Sequence, residues 1–295
     1  MVLGKNSSNR RKQIIGFVMV APAVLFILTF FIGPMISAGY YSLFRWNLIG
    51  EKTFIGFENY RFLFADDFTF HRSFTNTLIY TVINISGTMV LSMLSALLLQ
   101  SDERIMGWIR SSVFIPGVVP FAVMGMIWKS LLQPEWGAIN QIITLFGGES
   151  IPWLFQGNLA MFSVILFSIW KEFGLYMIIF VGGLQNIPRQ LYEAAAVDGV
   201  NVWQKFIFIT LPSLKPILFF VSTMLLVNSF KAFDHIWVMT QGGPGNSTSV
   251  LMTYIYSRIY DSVGRASAAS VILFVFVFVV TAVRNKLTGG ESYGI

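Results

Sequence analysis

The chain has 295 residues, 55% of them hydrophobic and only 12% charged, with a mean hydropathy of +0.68; this balance excludes an ordinary soluble domain and marks a polytopic membrane protein. It contains no cysteine, which excludes a disulfide framework and a thiolate metal site. The net charge of +6 is not gathered into a basic run interleaved with aromatics outside the apolar segments, so no nucleic-acid partner is expected and membrane lipid is the expected surrounding.

Residues 1–13 form a polar tail carrying Lys5, Arg10, Arg11 and Lys12. The run 14–44 has no charged residue, is far longer than the apolar part of a secretory leader, and holds Ala21-Pro22-Ala23 inside it rather than at its end, so it reads as a first span. At about 1.5 Å per residue it exceeds a hydrocarbon layer of roughly 30 Å, and Gly33-Pro34 is expected to mark a kink or the exit from the span. Segment 45–72 balances four basic against four acidic residues and reads either as an outer segment or as an amphipathic stretch under the headgroups.

The second span, 73–101, has polar residues stepping by four: Asn76, Tyr80, Asn84, Thr88 and Ser92 make one polar stripe on an otherwise apolar helix. That stripe suits helix packing through hydrogen bonds or contact with a polar solute, and Asn84 sits near its middle. A short charged link, 102–110, leads to a third span, 111–132, interrupted by Pro116-Gly117 and Pro120; such breaks are tolerated where neighbours or a cavity satisfy the freed backbone. An outer segment with a short helix over 137–146 follows.

The fourth span, 158–183, carries Trp170, Lys171 and Glu172 near its centre. Adjacent residues lie about 100° apart on a helix, so the two charges cannot point the same way and each needs its own partner or water. Ionisable residues at this depth suit the lining of a polar path or a structural salt bridge, and Trp170 offers a flat apolar face for a sugar ring or for packing. A loop at 184–215 separates this span from the fifth, 214–236, where Asn228 and Lys231 are three apart and share a face. An outer loop with Gly242-Gly243-Pro244 leads to the sixth span, 266–283, which opens on the small residues Ala266, Ser267, Ala268, Ala269 and Ser270, and the chain closes on a tail at 287–295.

Within the loop, Pro188 suits a first helical turn, Gly199 is placed to end that helix in the left-handed conformation, and Asn201 can cap a second helix that Leu211-Pro212 stops. The pattern Glu193-Ala194-Ala195, three residues, Gly199, nine residues, Ile209, one residue, Leu211-Pro212 resembles the EAA loop of permease subunits in binding-protein-dependent ABC importers. Phe57, Asn59 and Tyr60, Pro116-x-x-x-Pro120, Trp128, the segment Gly137-Ala138-Ile139-Asn140 and the T-x-GGP-x-x-x-T run from Thr240 to Thr248 extend the resemblance toward carbohydrate permeases similar to the larger maltose permease chain.

The resemblance implies an all-α fold of six transmembrane helices, with a cytoplasmic helix-turn-helix coupling loop in which Glu193, Ala194, Ala195, Asp198 and Gly199 meet an ATP-binding subunit. It implies a second homologous permease subunit, two ATP-binding subunits carrying ATP and Mg, and an extracytoplasmic sugar-binding protein, with no cofactor in this chain. Asn84, Trp170, Lys171, Glu172, Asn228 and Lys231 are the candidates for the substrate path.

Lysines and arginines number eleven on the segments expected inside and eight on those expected outside, so both termini and the loop are expected in the cytoplasm of a bacterial inner membrane. His71 and His235 lack ligand spacing, and no G-x-x-x-x-G-K phosphate loop is present, so energy is expected from a partner. A phosphorylated or acidic sugar remains open as solute, for which Lys171 or Lys231 is suited. A secondary transporter or an intramembrane enzyme would need matched broken-helix repeats or paired acidic groups, and neither pattern is evident.

Overall fold

The computed structural model describes residues 4–101 and 103–287; the tail at 288–295 and Asp102 of the charged link lie outside the described residues. Among the described residues, four helices are long and apolar enough to cross a membrane, and up to six if each of two sharply bent pairs counts as one span. The chain divides into two compact units, one of residues 1–66 and 257–274 and the other of 67–256 and 275–295.

In the first unit the backbone is helical from Gly4, so the segment read as a tail begins the helix α1 (Gly4–Ile27). Gly33-Pro34 is not the exit from the span: α1 passes through a π-helical turn, Leu28–Ile32, into α2 (Gly33–Tyr41), with the Gly33 N–H bonded to the Leu28 carbonyl. Widening the helix just before the proline accommodates a residue that has no N–H to give. None of the hydropathy window within 15–41 is buried.

A two-stranded antiparallel ribbon follows, β1 (Phe44–Arg45) and β2 (Thr53–Phe54), which the sequence reading lacked. Asn59, on α3 (Glu58–Ala65), donates from Nδ2 to the Ser42 and Phe44 carbonyls at 2.8 and 2.9 Å, and the Tyr60 hydroxyl donates to Ser42 Oγ at 2.7 Å. The Asn-Tyr pair therefore staples the ribbon to the end of α2. A Cβ on Gly264 would strike the Phe44 carbonyl, which makes glycine necessary at this close approach.

The second unit is built around α8 (Gly157–Gln185), whose most apolar window is 61% buried. It packs against α4 (Phe68–Leu98), α5 (Arg104–Val118) and α12 (Lys215–Phe230). Gly174 lets the α5 backbone approach α8, since a Cβ there would collide with the Val113 carbonyl. Helix α4 starts five residues earlier than the predicted span, at a true cap: Asp67 accepts from the Phe70 N–H at 2.9 Å and from the Tyr254 hydroxyl at 2.6 Å.

The predicted charged link belongs mostly to α5, which begins at Arg104. Pro116 lies inside α5, and the break comes at Val119-Pro120, both extended; α6 (Phe121–Leu131) leaves at 98°. Pro120 both withholds a donor and drives the residue before it out of the helical region. The short helix α7 (Ala138–Leu145) falls where predicted.

Of the predicted fifth span only α12 is continuous, ending at Phe230; a short helix α13 (Asp234–Thr240) follows, then the glycine-rich loop, α14 (Leu251–Arg258) and α15 (Val263–Leu287). The glycine-rich loop is pinned to α4: Asn76 Nδ2 donates to the Asn246 and Ser249 carbonyls, each at 2.9 Å, and Ser73 and Ser249 share a hydrogen bond of 2.8 Å. The N-terminal part of the polar stripe on α4, at Asn76, is thus packing.

Candidate functional site

Two apolar clusters fill the second unit. One includes Tyr80, Phe167, Ile236 and Met239; the other includes Met93, Tyr176, Phe180 and Leu225. Along α4 the interval between them holds Asn84, and along α8 it holds Lys171 and Glu172. A cavity of about 330 Å³ opens at this level, lined by Tyr80, Asn84, Phe121, Glu172, Asn228 and Lys231, with Ser229, Asp234 and His235 beside them. That volume lies at the small end of pockets for small molecules.

Asn84 organises the cavity floor. It is 1% exposed, and its Nδ2 donates to Glu172 Oε2 at 3.0 Å and to Ser229 Oγ at 3.1 Å, which joins α4, α8 and α12. A carboxylate oxygen only accepts, so the amide nitrogen must face it and Oδ1 must face away. That Oδ1 is buried without a hydrogen-bond partner.

The Tyr80 hydroxyl, Ser168 Oγ and His235 Nε2 lie within 3.1 Å of one another, and the His235 ring sits 4.9 Å from Phe121. Lys171 and Glu172 form no ion pair. The Lys171 ammonium instead donates to the Gly117 carbonyl at 3.3 Å and lies 3.9 Å from the Phe121 ring centre. The carbonyl is one that the interrupted α5–α6 pair leaves accessible.

A second feature is the hairpin after α8. Helix α9 (Arg189–Val197) ends at Gly199, φ +71°, with the Val200 N–H on the Ala195 carbonyl at 3.0 Å and the Gly199 N–H on the Ala196 carbonyl at 3.2 Å. This pair of bonds closes a helix through a left-handed residue. Asn201 then caps α10 (Val202–Lys205) in a reciprocal box with Gln204, and the helix runs through a π-helical stretch, Phe206–Thr210, into α11 (Leu211–Ser213). The helix stops within a residue of Leu211-Pro212, at Ser213, and the direction changes by 68° on entering α12.

Tyr192 and Thr210 share a 2.8 Å hydrogen bond between the arms, and Tyr192 and Ile209 pack on the second cluster. The other face carries Glu193, Ala194, Asp198 and Gly199 in the open, with Val197 89% and Trp203 75% exposed and Val202 and Phe208 beside them.

Residues 88–288, which include Phe121, Glu172, Asn228 and Lys231 of the cavity and the whole hairpin but not Tyr80 or Asn84, match the family described as the binding-protein-dependent transport system inner membrane component. The chain belongs to this family. It is a polytopic membrane permease subunit of an ABC importer, and membership implies transport without catalysis of its own. Consistent with this, such importers assemble permease, ATPase and solute-binding subunits.

The permease is 33% identical over 283 residues to the arabinooligosaccharides transport system permease protein AraP of Bacillus subtilis, covering 94% of this chain and 90% of that one. It is 33% identical over 279 residues to the sulfoquinovosyl glycerol transport system permease protein SmoG of Agrobacterium fabrum, covering 93% and 90%. Its fold is similar to that of a bacterial ABC transporter involved in the import of the acidic polysaccharide alginate, with a TM-score of 0.85 at 22% identity over 98% of this chain and 99% of that one.

Of the predicted path residues, the permease brings Asn84, Glu172, Asn228 and Lys231 to one cavity. Lys231 does so from beyond the end of α12, as its cap, rather than from a shared helical face. Trp170 and Lys171 do not line it. Trp170 packs against Trp128, ring centres 5.1 Å apart, and borders a separate apolar groove with Trp108 and Phe173. Tyr80, Phe121, Ser229, Asp234 and His235 are lining residues that sequence reasoning did not assign. Tyr80 could have been found from its four-residue step to Asn84; His235 had no periodic signal, because it reaches the cavity from a short helix beyond a break.

Proposed function

We propose that this permease carries a sugar or oligosaccharide into the cytoplasm of a bacterium by ATP-driven alternating access, through the cavity at Asn84 and Glu172. The observation that carries the reading is that cavity: a hydrogen-bonding floor at mid-height between two apolar clusters, of a size for one or two sugar rings. Relatives named for arabinooligosaccharides and for sulfoquinovosyl glycerol support a glycoside as cargo. The T-x-GGP run supports the carbohydrate branch that includes the larger maltose permease chain.

In this reading the hairpin at 184–215 is the EAA coupling loop. Glu193, Ala194, Asp198 and Gly199 face the ATP-binding subunit, while Ala195, which is buried, holds the helix against the transmembrane body. Both termini and the loop lie in the cytoplasm. A second homologous permease chain completes the pathway, two ATP-binding subunits hold ATP and Mg, and an extracytoplasmic sugar-binding protein delivers the solute. Closure of the ATP-binding pair moves the docked hairpin, and α12, joined to it through Leu214, tilts with it.

Solubilised gently, the permease should co-purify with a nucleotide-hydrolysing subunit, and the reconstituted complex should accumulate glycosides only with ATP on the hairpin side. Uptake that proceeds without nucleotide, or isolation with no ATPase attached, would overturn the proposal.

A further inference from the structure

A second cleft, of about 490 Å³, opens within the first unit between residues 45–66 and residues 261–265. Its lining carries three guanidiniums and three carboxylates. Arg45 and Glu58 answer each other in an exposed ion pair of 3.0 Å. The other four charges are not answered in this way. Arg61, Asp66 and Asp261 are exposed and make no ion pair among the described residues. Arg265 is placed by Phe62, its guanidinium 3.7 Å from the ring centre, and it has no carboxylate partner either. Two cationic and two anionic groups are thus left on one open cleft.

The cleft also has a defined depth. Its first lip follows the apolar stretch 15–41, none of whose hydropathy window is buried, and its second lip opens α15, whose apolar window has a mean hydropathy of 2.6. It therefore stands where two apolar spans meet water. Tyr41 and Trp46, with rings 4.9 Å apart, mark the same boundary, and the Lys52 ammonium lies 4.3 Å from the Trp46 ring centre. Tyrosine and tryptophan collect at the headgroup level of a bilayer.

We propose that this cleft holds the headgroup of a zwitterionic phospholipid with a primary ammonium, a phosphatidylethanolamine. The phosphodiester accepts from Arg61 and Arg265, whose guanidiniums suit phosphate oxygens, and the ammonium donates to Asp66 and Asp261. An anionic headgroup without an amine meets only the arginines. A choline headgroup carries the same two charges but has no N–H to donate to a carboxylate. The site is independent of what the permease carries, since no residue of it lines the cavity at Asn84.

The complete importer is embedded in nanodiscs containing equal parts of phosphatidylethanolamine, phosphatidylcholine and phosphatidylglycerol with the same acyl chains. It is then extracted in detergent, and the phospholipids still bound are measured by mass spectrometry. Phosphatidylethanolamine should be retained about fivefold over either of the others, the scale that one exposed ion pair can supply. Asp261→Asn and Arg61→Gln, both at exposed side chains, should each remove most of that excess with the importer still assembled.

Equal retention of the three lipids overturns the proposal. So does a preference for phosphatidylglycerol, which would mean that the arginines act without the carboxylates. A preference that survives both substitutions puts the lipid elsewhere on the importer and removes it from this cleft. If the substitutions leave the lipids unchanged and instead weaken attachment of the solute-binding protein, the cleft is a protein contact and the lipid assignment falls.

Discussion

The hairpin after α8 closes its own hydrogen bonds and leaves its apolar side chains outside, whereas the cavity floor hides its side chains and leaves a hydrogen bond unmade. In the hairpin the left-handed Gly199 closes the first arm, the Asn201–Gln204 box caps the second and the Tyr192–Thr210 bond ties the two, while Val197, Val202, Trp203 and Phe208 face outward. On the floor Asn84, Glu172 and Ser229 are buried together and Asn84 Oδ1 is unpartnered.

Open apolar side chains are matched by a surface that stays, since covering each recovers about 1.5–3 kcal/mol. Polar side chains on a small cavity suit a group that comes and goes, because one hydrogen bond nets only about 0.5–1.5 kcal/mol. In the proposed reading, the first region suits a lasting protein partner and the second a transient solute.

The comparison breaks most decisively at Glu193. If the exposed face of α9 docks on an ATP-binding subunit, Glu193→Lys places an ammonium where a carboxylate is received, and like-charge juxtaposition at an interface costs several kcal/mol. At about 1.4 kcal/mol per tenfold, ATP-driven uptake should fall about 100-fold or more, with the permease still inserted and the ATPase lost on co-purification. Uptake within about twofold of normal would mean that the apolar face has some other use.

The second test falls on the floor. Asn84→Ala removes its two bonds, one to Glu172 on α8 and one to Ser229 on α12, and leaves the Glu172 carboxylate without its amide donor. Hydrogen bonds to charged groups are worth about 1.5–3 kcal/mol, so the variant should unfold at lower temperature in detergent and lose stimulation of ATPase by solute. ATPase recruitment should persist, which separates it from Glu193→Lys. An unaltered unfolding temperature would show that the floor is not a joint between helices.

How legible each region was in the sequence follows from the same contrast. The hairpin is local: Gly199, Asn201 and Pro188 act within a turn or two of their own positions, so the helix, the turn and the cap could all be placed from residue type. Its π-helical stretch was not legible, because it depends on how the arm rests on Leu214 and Ile187. The floor is made by residues 145 apart in sequence, Asn84 and Ser229, and periodicity could say only that Asn84 faces inward.

Periodicity could not say that Trp170, next to two charges, turns toward Trp128, nor that His235 arrives from beyond a helix end. The π-helical turn before Pro34 and the ribbon pinned by Asn59 likewise depend on backbone carbonyls that no side-chain pattern reports.

The smallest expected effect sharpens the claim that the hairpin is built before it is met. Asn201 caps α10 with its side chain on the Gln204 N–H at 2.9 Å, while Gln204 returns a bond to the Asn201 N–H at 3.0 Å, and both bonds are exposed. Asn201→Ala should cost the second arm about 1 kcal/mol, enough to fray its first turn but not to release Tyr192 and Ile209 from the second cluster. Limited proteolysis at 200–205 should then quicken about fivefold in the isolated permease, as a local opening of that free energy allows. In the complete importer the difference should vanish, because a docked partner holds the turn closed. If cleavage quickens equally in both, the hairpin is free in the assembled importer, and its exposed apolar face needs another explanation.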